Sequence, residues 1–100
     1  MVRESEKCVC AESVLDLYSM LNTVEKMARS SIAPEIAEVY ISNLIRKAEE
    51  NCGVSLSDVK EKVEEGYRAL EEENYKEAAS AFLWAKTELK SAISRCVWEK

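Results

Sequence analysis

The chain is expected to fold as an all-α, up-down-up-down antiparallel four-helix bundle, and three observations lead there. Two Gly and one Pro in 100 residues leave few points at which a helix must break. Apolar residues recur at spacings of three and four, with no run of alternating β-branched and polar residues. The helical stretches are separated by about two to four residues, too few to cross a bundle, so sequence neighbours must pack antiparallel.

The first helix is read over 8–29, where Cys10, Val14, Leu17, Leu21, Val24 and Ala28 form the seam and Tyr18 and Met27 widen it. Ser30 to Ala33 interrupts the pattern, and Pro34 suits the first turn of a new helix because its missing N–H costs nothing there. The second helix, 34–52, buries Ala37, Ile41, Leu44 and Ala48, with Ile36, Tyr40 and Ile45 beside them. Gly53 is expected to end it as a left-handed C′ residue, with Val54 as the accompanying apolar contact. Ser55 then reads as an N-cap with Asp58 in the acidic place of a capping box, opening a third helix over 56–72. That helix carries Leu56, Val59, Val63, Gly66 and Leu70. After a turn at Glu73 and Asn74, the fourth helix, 75–97, has its seam at Tyr75, Ala78, Phe82, Ala85, Leu89, Ala92 and Cys96.

Gly66, Tyr75, Ala78, Phe82 and Ala85 fall at the spacings of the glycine, tyrosine, alanine, aromatic and alanine of a tetratricopeptide hairpin. Residues 62–96 therefore resemble one such hairpin, and equally the second and third helices of MIT-type domains. The resemblance implies close helix approach at Gly66 and a peptide-binding role. It departs from the tetratricopeptide pattern at Lys62 (usually a large aromatic), Glu73 (the loop glycine) and Lys90 (the terminal proline), and a shift of 34 residues finds no second copy.

Composition excludes several functions. The net charge is −5 and the basic residues are dispersed among glutamates, so nucleic-acid binding is not expected. No apolar run approaches the ~18 residues of a membrane span. Arg3, Glu4, Glu6 and Lys7 are followed by no apolar leader segment, so a cytoplasmic protein is expected. With 17 Glu, nine Lys and no Gln, the composition is that of a thermophile, archaeal-like protein. Histidine is absent, which removes Ser-His and Cys-His nucleophile pairs, Glu-x-x-His metal sites and the Arg–His chemistry of small helical HEPN nucleases. Two glycines cannot build a phosphate loop. Paired carboxylates (Glu49 and Glu50, Glu64 and Glu65, Glu71 to Glu73) read as solvated helix surface. No enzyme activity, catalytic residue, metal or cofactor is expected.

Two features remain. Cys8, Cys10, Cys52 and Cys96 converge on one end of the predicted bundle. They fit disulfides (Cys10 with Cys96 or Cys52), free core thiols, or, with C-x-C spacing that suits it poorly, a thiolate metal site. A structural staple or core plug is preferred to an active site. Trp84 and Trp98 point away from the fourth helix's seam and share an outer stripe with Ala81, Glu88, Ser91 and Arg95. Leu15 is likewise displaced from the first helix's seam, with Met20 at its margin. A large aromatic off the core stripe marks a contact surface. The expected function is binding, to another protein or to a second copy as a homodimer, through Trp84. The alternative is a small metal- or redox-responsive protein that uses the cysteines.

Overall fold

The computed structural model describes the backbone over 2–36 and 38–93 and the side chains within 10–36 and 38–92. Among the described residues there are four helices: α1 (Val2–Arg29), α2 (Glu38–Cys52), α3 (Ser57–Glu71) and α4 (Tyr75–Ile93). They form an antiparallel four-helix bundle in which α1 packs on α2 and α4, α4 packs on α3, and α2 touches α3 only sparsely. No described helix is long and apolar enough to cross a membrane.

Each seam closes on one core. Leu17, Leu21, Ile41, Ile45, Leu56, Phe82 and Leu89 are fully or almost fully buried, each side chain contributing about 1.5–3 kcal/mol of apolar transfer. Leu44 is only half-buried and Tyr40 is exposed, so the α2 stripe is Ile41, Ile45 and Ala48. The bundle is 48 Å long and 21 by 20 Å across. With 28 residues, α1 spans about 42 Å of that length, while α2 and α3, 15 residues each, span about 22 Å. Cys10 meets Cys52, and Lys86 meets Asn22 and Glu25. The α2 helix therefore lies along the first part of α1, and the α3–α4 hairpin along the last.

Helix ends differ from the sequence reading in four places. The α1 helix starts at Val2, not at residue 8: Arg, Glu and Lys are good helix formers, and the helix forms there without an apolar stripe to announce it. Pro34 is not a first-turn residue, since α2 starts at Glu38. Ile36 lies at a bend in the linker before α2, and its carbonyl accepts a hydrogen bond from the Tyr67 hydroxyl (2.7 Å). The expected Ser55–Asp58 box is absent. Leu56 occupies the N-cap of α3 with no side-chain cap, and its N–H donates to Glu49 Oε2 (2.7 Å), a carboxylate reaching across from α2. Ala92 is exposed rather than on the seam, because α3 begins at Ser57 and ends its cover of α4 near Leu89. Ala37 and residues 94–97 of the expected second and fourth helices lie outside the described residues.

The turns follow standard closures. Gly53 adopts φ 66° and its N–H bonds the Glu49 carbonyl (2.8 Å), ending α2 as expected. At the ends of α1 and α3 the same left-handed place is taken by Ser31 (φ 60°) and Glu73 (φ 59°). In both, the residue after it bonds back across a full Schellman turn: Ile32 to the Met27 carbonyl, Asn74 to the Ala69 carbonyl.

Candidate functional site

The outer seam of the α3–α4 hairpin forms a groove of about 450 Å³. Its platform is rigid for local reasons. Asn74 caps α4 by accepting from the Glu77 N–H (3.3 Å), while its amide donates to the Glu77 carboxylate (2.7 Å). Gly66 lies under the Phe82 ring so closely that a Cβ there would stand 2.5 Å from Phe82 Cε1. Tyr67 then meets Phe82 edge-on, with centroids 5.5 Å apart. Ala78, Phe82 and Ala85 are fully buried, so the positions carrying the tetratricopeptide resemblance form one packing unit.

Lys62, Glu65, Arg68 and Ala69 line the groove from α3 and Glu72 from the turn after it; Glu77, Ser80, Ala81 and Trp84 line it from α4. Trp84 is 53% exposed, and Lys62 Nζ lies 5.8 Å from its ring centroid. Ala81 is buried beneath the groove, while Glu88 is half-buried further along α4. Of the predicted interface stripe, Trp84 and Ala81 come together here, whereas Arg95 and Trp98 lie outside the described residues. Leu15 and Leu83 are also exposed on α1 and α4, and Val39 and Tyr40 on α2, but none of them lines this groove.

At the cysteine end, Cys10 and Cys52 are joined in a disulfide that ties α1 to α2. Beside it, the Asn51 amide donates to the Ser13 hydroxyl (2.5 Å). The side chain of Cys8 and the whole of Cys96 lie outside the described residues. Among the described residues no three metal-ligating side chains gather at one point.

A polar cluster the sequence reading missed sits between α1 and α4. Glu25 is only 2% exposed. It accepts from Lys86 Nζ (2.8 Å) and from the Arg29 guanidinium, and Lys86 also donates to Asn22 Oδ1 (2.9 Å) and lies over the Tyr18 ring. The signal was available: Glu25 and Lys86 each follow a seam residue, Val24 and Ala85, at the flanking positions where charges pair between helices. The cluster reads as a packing device. Tyr67 holds its proton more tightly than an ordinary tyrosine. Burial pushes its hydroxyl up to about 12 from the usual 10.0, and the Glu38 carboxylate adds to the shift.

No known protein family, curated protein or solved structure matches this chain. The tetratricopeptide-like spacing therefore stands as a resemblance of one hairpin's packing.

Proposed function

We propose that the protein is a non-enzymatic interaction module whose contact face is the α3–α4 groove around Trp84. The observation that carries this is a half-exposed tryptophan held at the rim of a groove on a rigid hairpin. Tryptophan contributes large contact area with few rotamers to freeze, and for that reason dominates binding hot spots. Mixed charges around a floor of small residues favour a protein ligand over a nucleic acid. Helical peptides selected from a library against the intact protein are expected to lose at least about tenfold in affinity for Trp84→Ala and to keep it for Val39→Ala. Peptides that bind Trp84→Ala as well as the wild type would remove this face from consideration.

A second reading, a redox-responsive protein, is favoured by the Cys10–Cys52 bond alone. Thiol titration with and without denaturant, alongside binding of the same peptides in reductant, tests it. Binding that is indifferent to reductant rules it out.

A further inference from the structure

We propose that the Cys10–Cys52 disulfide regulates the groove. Oxidised, it keeps α2 docked and α3 held for binding; reduced, it lets α2 undock and weakens the Trp84 face. This rests on the reading of that face as a contact surface. The way α2 is held makes it the element that can move. It packs on α1 and touches α3 only sparsely, and it buries Ile41, Ile45 and Ala48 alone. Its last turn holds Glu49 and Glu50 with no basic residue, the wrong charge for a helix C-terminus. The chain joins α2 to α1 at one end, through residues 30–37, and the disulfide joins them at the other. Breaking the bond leaves that second end to noncovalent contacts, the Asn51–Ser13 hydrogen bond among them.

Two hydrogen bonds carry the state of α2 to the groove. Glu49, three residues before Cys52, accepts the Leu56 N–H (2.7 Å) at the start of α3, where Leu56 offers no side-chain cap of its own. The Ile36 carbonyl, on the linker entering α2, accepts from the Tyr67 hydroxyl (2.7 Å). Lys62, in the next turn of α3, lies over Trp84, and Tyr67 precedes Arg68 in the groove wall while meeting Phe82 edge-on. When α2 leaves, the α3 wall loses both ties and loosens, while the apolar seam between α3 and α4 stays closed. Docked or undocked α2 is thus the two-state element whose balance the bond sets. The bond is also within reach: Cys10 is buried, but Cys52 is half-buried beside the exposed Gly53. A dithiol's thiolate attacks the Cys52 sulfur and the Cys10 sulfur leaves; the second thiolate then closes on the first and expels Cys52. Two electrons and two protons pass from the dithiol, which ends as a disulfide, to Cys10 and Cys52, which end as thiols.

Hydrogen exchange of the full chain, read by mass spectrometry with and without dithiothreitol, tests the undocking, and the library peptides test its effect on the groove. Reduction is expected to speed exchange over 38–52 at least about tenfold, and over 75–93 less than about threefold, as local opening requires. The same treatment should weaken Trp84-dependent peptides about fivefold or more. Cys10→Ala with Cys52→Ala should show both changes without reductant and no further change on adding it, which separates this bond from Cys8 and Cys96. In the oxidised chain, Glu49→Ala with Tyr67→Phe cuts both ties while α2 stays bound, and should lower peptide affinity at least about threefold. Exchange over 38–52 that ignores dithiothreitol overturns the switch. So does exchange that rises equally in all four helices, since the bond is then a staple of the whole bundle. The wild-type comparison decides this whether or not the variants fold. Trp84-dependent peptides indifferent to reductant sink only the switch, whereas peptides insensitive to Trp84→Ala sink the contact face and the switch with it.

Discussion

Glu73 and Ser31 hold the left-handed conformation that glycine adopts without a Cβ clash, so each turn carries local strain. Glu73→Gly is expected to raise stability by about 0.5–1 kcal/mol, read from the denaturation midpoint at unchanged slope, because relieved strain exceeds the added freedom of the unfolded chain. Gly66 predicts the opposite sign. Gly66→Ala should cost about 1–3 kcal/mol, since the new methyl must push the Phe82 ring out of a packed core. Tyr67 sets a pH dependence. Below pH 10 its hydroxyl is protonated whether the chain is folded or not; between 10 and 12 the unfolded chain releases the proton while the folded one retains it. Stability should therefore fall across that window and level off above it. Denaturant titrations of wild type and Tyr67→Phe at several pH values isolate the effect, because the other tyrosines contribute equally to both.

Between elements, the decisive pairing is Glu25 with Lys86, which fixes the register of α1 on α4. Burying two charges costs more than their attraction returns unless both are satisfied, and here Asn22 and Arg29 complete the set. Lys86→Ala leaves a carboxylate that is 2% exposed with Arg29 as its remaining charged partner and should cost about 1.5–3 kcal/mol by thermal or chemical unfolding. Glu25→Leu combined with Lys86→Met removes both charges and should lie near or above wild-type stability. A double variant as unstable as Lys86→Ala would mean that the loss comes from side-chain packing and not from the weakened charge pairing. The α3–α4 hairpin, by contrast, is held mainly by apolar contact and two caps.

For the whole molecule, the Cys10–Cys52 bond closes a loop of sequence separation 42, and chain entropy alone assigns such a loop about 4 kcal/mol of stabilisation. The bundle architecture was legible because seam spacing survives in every helix, and Cys10, Val14, Leu17 and Leu21 are buried as their positions require. Trp84's exposure was legible for the same reason: its angular distance from Phe82 can be computed from residue numbers. The start of α1 was not legible, because its first turns have helical propensity without an amphipathic stripe. The α3 cap was hidden too: Glu49 supplies it from another helix, and no local motif records that contact. Pairing among the four cysteines was likewise open, since sequence brings them to one end without saying which two come within bonding distance.

The sparse contact between α2 and α3 carries a consequence for how the chain meets a protease. With the disulfide intact, α2 cannot leave α1 without opening the bundle, so cleavage should track global unfolding. Once the bond is reduced, α2 is free to swing out alone on the linker before Glu38 and the loop after Cys52, and native-state digestion should begin at those two hinges while α3 and α4 remain uncut.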